Sequence, residues 1–209
     1  MKRIGLLFLF FITAYLPAGV DPVELKAQVS AMYMSKSPYC DSPTLVFSKD
    51  YVIPYNVFGF PVLGVADNGN HILDGSYSCL IFKMSERFTF VPGVIASNCV
   101  QGIRYNTDVC NGSHLNTQVD GATYNCSGAA EETVFLYLST ASNSYDPDVA
   151  LQPFSPPTPS DPSKGIKLNT PFSIYGNSYG RLIINGNNRI TGSSGVCNLQ
   201  MPRFSFVKE

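Results

Sequence analysis

A mainly β protein is predicted, an antiparallel β-sandwich or partly closed barrel with a short N-terminal helix and disulfides. Three observations point there. Thr133–Ser139 alternates, with Val134, Leu136 and Leu138 on one face, the period of a half-buried strand. Many other short runs rich in Val, Ile, Phe and Tyr are separated by Gly, Asn, Pro and Ser, as in antiparallel all-β domains. All six cysteines follow a leader-like N-terminus, and an even number in an exported chain reads as a disulfide framework.

Taken in order, Lys2 and Arg3 precede the uncharged apolar run Ile4–Leu16, and Pro17-Ala18-Gly19 offers small residues for cleavage. That is the layout of a secretory signal peptide, and the run is shorter than the roughly 20 residues of a bilayer span. Residues 1–18 are therefore expected to be removed, leaving a secreted, periplasmic or cell-surface protein with no membrane span. Two of the 14 basic residues leave with it, so 12 face 15 acidic ones, a net charge of −3. Such a surface carries no electrostatic footprint for nucleic acid.

Residues 19–143 are expected to hold the helix and a first β unit. Asp21-Pro22-Val23-Glu24 has a capping residue, a proline suited to the first helical position and a Glu three residues after the cap; it predicts a helix over residues 22–34. Tyr77–Met84 is apolar on both faces and predicts a central strand. Further strands are expected at Arg87–Val91, Cys99–Tyr105, Phe172–Tyr175, Arg181–Ile184 and Arg203–Val207. Residues 144–164, with six prolines, predict an extended linker or strap. Residues 165–209 are expected to form C-terminal β hairpins packed on the first unit, with Asn185-Gly186 favouring a type I′ turn. Residues 75–89 and 177–191 share Ser, Tyr, Leu, Ile, Arg and Thr at matching places, through either duplication or a recurrent hairpin pattern.

The cysteines are Cys40, Cys79, Cys99, Cys110, Cys126 and Cys197. Six allow 15 pairings, and the short separation of Cys110 and Cys126 favours that bridge. Their spacing lacks the paired ligands of a zinc site, and no metal or other cofactor is expected. Gly176-Asn177-Ser178-Tyr179-Gly180 spells the nucleophile elbow of serine hydrolases. An elbow needs a strand before the serine and a helix after it, with a later histidine. Here a strand-like run follows, and His71 and His114 both precede Ser178, so Ser178 reads as a turn residue. No phosphate-binding glycine motif is present.

Tyrosine keeps distinctive company. Tyr105, Tyr124, Tyr145 and Tyr179 lie among Asn, Ser, Gly and Asp at strand ends, a composition typical of binding loops on rigid β scaffolds. These four are the candidate binding residues. The expected role is a non-enzymatic binding module for a protein or glycan. A secreted hydrolase on a β-sandwich, or a structural subunit of an envelope or extracellular assembly, is the alternative.

Overall fold

The structure, a computed structural model, describes residues 19–48, 55–56, 60–61, 74–110, 114–126, 133–144, 152–175, 180–193 and 195–208. These contain the strands β1 (Pro22–Ala27), β2 (Val29–Ser35), β3 (Thr44–Ser48), β4 (Tyr55–Asn56), β5 (Phe60–Pro61), β6 (Gly75–Tyr77), β7 (Cys79–Ser85), β8 (Arg87–Pro92) and β9 (Tyr105–Asp108). The chain continues through β10 (Leu115–Thr117), β11 (Thr123–Asn125), β12 (Thr133–Ser139), β13 (Ile166–Lys167), β14 (Phe172–Ile174), β15 (Gly180–Asn185), β16 (Ile190–Ser193), β17 (Val196–Leu199) and β18 (Arg203–Lys208). The largest sheet has the order β13-β12-β7-β2-β3; a four-stranded sheet runs β4-β1-β8-β9 and a three-stranded one β18-β15-β5. Among the described residues no sheet closes into a barrel and no helix occurs.

The predicted N-terminal helix is therefore corrected: its residues form β1 and β2. Lys, Gln, Glu and Ala favour helix individually, but period two overrides them. Leu25, Ala27, Val29 and Ala31 are buried while Glu24, Lys26, Gln28 and Ser30 are half-exposed. A helix would scatter these four apolar residues around its axis; a strand puts them on one face. The register then shifts between Val29 and Ala31. Past that irregularity Met32 and Met34 take over the buried positions of the main core.

β7 is central, paired with β12 from Cys79↔Ser139 to Ser85↔Thr133 and with β2 on its other edge. Leu80, Phe82 and Met84 of β7 and Val134, Leu136 and Leu138 of β12 enter the main core. Ile81, Phe135 and Tyr137 enter a smaller core on the opposite face, beside the Cys40–Cys79 disulfide. The main core is completed by Leu25, Phe88, Phe90, Leu182, Ile184 and Phe204. Phe88 meets Phe204 edge-on at 6.4 Å, and Phe172 meets Phe206 edge-on at 4.9 Å, a favoured aromatic geometry.

The outer edge of β12 is covered piece by piece, which protects it from pairing with another chain. The fully buried Asn116 accepts from the Phe135 amide at 3.1 Å and donates to the Thr133 carbonyl at 2.9 Å. The Tyr137 amide donates to the Pro153 carbonyl at 3.1 Å. β13 then pairs in parallel at Leu138↔Ile166 and Ser139↔Lys167. Pro153 belongs to a folded strap: Phe154 is fully buried, and the Gly165 amide donates to the Gln152 carbonyl at 3.0 Å. The Ser163 hydroxyl donates to Asp161 at 2.6 Å and, with its backbone amide and Lys164, holds that carboxyl below its usual range.

Two further expectations change. Asn185-Gly186 does not close a hairpin, because β15 pairs with β18 and β5 rather than with β16. The turn lies two residues later, with the Arg189 amide donating to the Gly186 carbonyl at 3.0 Å and Asn188 at φ 59°. Asn is among the few non-glycine residues that tolerate that conformation. The strand expected at Cys99–Tyr105 begins only at Tyr105; residues 96–102 are turns and an isolated Ala96↔Cys99 bridge.

Candidate functional site

Residues 88–103 contain no charged side chain. Their first part enters the core as β8, and the remainder leaves it as a loop. Within that loop Val94, Ile95, Val100 and Ile103 are 53%, 71%, 52% and 51% exposed. Exposed aliphatics are common singly, and four on one short loop are a concentration of them, interleaved with the exposed Ser97, Asn98 and Gln101.

The loop is braced rather than free. The Cys99–Cys197 disulfide joins it to β17. Gly192 in β16 lies so close that a Cβ there would come within 2.6 Å of the Asn98 amide and 2.9 Å of the Ala96 carbonyl. Only glycine permits this approach of two backbones. Ser97 turns the chain with φ 48°. At the base, the Gly93 amide donates to the Asp21 carbonyl at 2.9 Å, and the Asp21 carboxylate accepts from the Asn188 amide at 2.8 Å. Beside this junction the exposed Val23 packs near Gly93.

Several backbone amides of the loop donate within it or to its flanks. Ala96 and Cys99 exchange amide–carbonyl bonds at 3.1 and 2.8 Å; Gly102 donates to Pro92 at 3.3 Å and Ile103 to Val100 at 3.2 Å. The Val100 amide donates to the Tyr105 hydroxyl at 3.0 Å. Glu24, whose carboxylate meets Lys26 at 3.1 Å and Arg104 at 3.0 Å, ties down the cation that follows the loop. Lys26, and then Arg104, lower the Glu24 pKa from its ordinary 4.5.

The predicted binding tyrosines fare differently. Tyr105 is half-buried, stacked on Phe90 at 5.7 Å with its hydroxyl on the loop backbone. It positions the loop. Tyr124, also half-buried, donates from its hydroxyl to the Thr133 carbonyl at 2.7 Å and accepts from Asn116. The two belong to different sheets, β9 and β11. Tyr145 and Tyr179 lie outside the described residues, as do Ser178 and His71. His114 packs edge-on against Phe154 at 6.1 Å. Tyr137, whose phenol burial pushes well above its usual range, donates to the Thr117 carbonyl at 2.8 Å. All six cysteines are paired, as Cys40–Cys79, Cys99–Cys197 and Cys110–Cys126. Among the described residues, no group of three or more His, Cys, Asp or Glu is placed to hold a metal ion, and no helix is long and apolar enough to cross a membrane.

The sequence did not disclose the loop because its second half, from Cys99, resembles a strand in composition. Its signals were Ser97-Asn98 and Gln101-Gly102, two turn-forming pairs within a charge-free stretch. No protein-family model, curated protein or solved structure matches the chain.

Proposed function

We propose that the chain is an exported, non-enzymatic binding module on a β-sandwich scaffold, docking through residues 93–103. One observation carries this reading: four aliphatic side chains are held outward on a loop braced by a disulfide, a close backbone approach and its own hydrogen bonds. A braced loop loses little conformational freedom on docking, and pre-organisation of that kind raises affinity. Three disulfides suit an oxidising compartment, and the leader-like run at residues 4–16 supports export. Of the partners expected from the sequence, a glycan fits this loop less well, since sugar rings prefer aromatic platforms to Val and Ile.

The test is binding to isolated envelopes of the cells that make the protein. Wild type should bind saturably and Ile95→Asp should lose most of that binding while melting at the same temperature. Equal binding by the two proteins would remove the loop from the function.

A further inference from the structure

We propose that the outer edge of β18 is a second docking element, which takes an acidic, extended segment of a partner protein as a further strand. It is independent of the loop at residues 93–103. Three observations carry it.

The first is the state of the sheet margins. An open strand edge is a template for pairing, and natural edges are shortened, bulged or covered. Among the described residues, the margins of the three larger sheets follow that rule at every place but one. β4, β5 and β13 have two residues each. β3 is bulged: Met32 pairs with Phe47 and Tyr33 with Leu45, which leaves Val46 as the extra residue. β9 is met by β17, whose Leu199 amide donates to the Thr107 hydroxyl at 3.2 Å. β18 is the exception. Its six residues include no proline and keep an unbroken antiparallel register with β15, from Gly180↔Lys208 to Asn185↔Arg203. No described strand lies on its other side.

The second is the alternation of side chains along that edge. Phe204 and Phe206 face the main core. Phe206, packed on Phe172 and Phe82, is only half-buried, and a further strand beside β18 completes its cover. Ser205 and the 45% exposed Val207 face outward. Strand addition takes affinity from main-chain hydrogen bonds and specificity from alternate side chains. The incoming segment is therefore apolar at alternate positions, on the side of Phe206.

The third is charge. β5, β15 and β18 contain Arg181, Arg203 and Lys208 and no acidic residue. The bias extends beyond them: residues 162–208 hold six basic residues and no Asp or Glu, in a chain with 15 acidic residues. Arg203 stands exposed at one end of β18, and Lys208 occupies the other. Like charges directly opposite one another across strands are destabilising. Pairing of β18 with its own copy about the strand midpoint would set Arg203 against Lys208 twice. Acidic residues at the ends of an incoming segment meet these cations favourably, which selects a partner protein over a second copy.

The experiment uses the full chain and a fluorescent peptide in which valine and threonine alternate between terminal glutamates. Fluorescence anisotropy measures affinity, and hydrogen exchange read by mass spectrometry locates the contact. The peptide should bind saturably, less tightly as salt rises. It should slow exchange at residues 203–208 and leave Thr44–Ser48, the bulged edge, unchanged. The same peptide ending in lysines should bind at least about tenfold more weakly. Arg203→Glu should weaken the glutamate-ended peptide by a similar factor, with the melting temperature retained. Absence of saturable binding, equal binding of the lysine-ended peptide, or protection that misses residues 203–208 would overturn the proposal. So would equal binding of a glutamate-ended peptide with proline at its centre, which keeps the charge but lacks an amide for pairing. A concentration-dependent dimer that protects residues 203–208 without peptide would assign the edge to a second copy and sink the partner reading.

Discussion

Ile81 and Ile95 are the same residue in two opposite settings. Ile81, fully buried in β7, sits in a strand paired on both edges and covered on both faces. Ile95 is 71% exposed on a loop that β16 and β17 hold from the side. Both segments are rich in aliphatics, and both are rigid. What separates them is the source of rigidity: burial of apolar surface in the sheet, covalent and backbone tethers in the loop. Apolar side chains in the loop are therefore dispensable for folding, and those in the sheet are not.

The contrast should break most visibly where a tether is cut. Cys99→Ser with Cys197→Ser opens a closure of 98 residues, and chain entropy puts the cost at about 4–5 kcal/mol. Chemical denaturation of the double variant measures it. Ile81→Ala should cost about 2–5 kcal/mol in the same assay. Asn116→Ala leaves the Phe135 amide and the Thr133 carbonyl short of a partner at a buried edge, for about 1–3 kcal/mol. Ile95→Ala should change stability by no more than about 0.5 kcal/mol while weakening docking; a loss as large as that of Ile81→Ala would erase the distinction. The smallest effect concerns pH. Glu24 has a lowered pKa, so its contribution is complete above the ordinary 4.5 and fades as pH falls through the folded value. Exposed ion pairs are worth about 0–1 kcal/mol. Between pH 6 and strongly acidic solution, Glu24→Gln should therefore flatten the stability profile only slightly.

What the sequence discloses follows the same division. β12 is legible residue for residue, Thr133–Ser139, because both its faces and its ends carry pattern. The apolar run at Tyr77–Met84 announces a central strand, and β7 is one. Residues 22–34 were misleading because a good capping sequence and helix-favouring residues sit on a period-two pattern that decided the outcome. The role of Asn116 was invisible: its partners lie 17 and 19 residues away, and nothing local marks a side chain that finishes a sheet edge. The later part of the loop, residues 99–103, falls in a stretch that reads as strand, since composition alone does not tell an aliphatic that is buried from one that is presented. Tyr105 illustrates the converse. Its context suggested a contact surface, and the fold uses it as a brace.

The Cys99–Cys197 bridge also orders the events of biosynthesis. Cys40–Cys79 and Cys110–Cys126 span 39 and 16 residues, so each pair is available soon after its second member emerges. Cys99 has to wait for the last of the six, 98 residues later. At about 5–20 residues per second that is about 5–20 s. During this interval the thiol of Cys99 stands among four other cysteines, and the aliphatic loop lacks the hairpin that fixes it. A chain released before Cys197 therefore carries a mature sheet nucleus but an unfinished loop. The loop at residues 93–103 is completed last, at the end of translation, and a shortage of oxidant or disulfide isomerase would be felt there first.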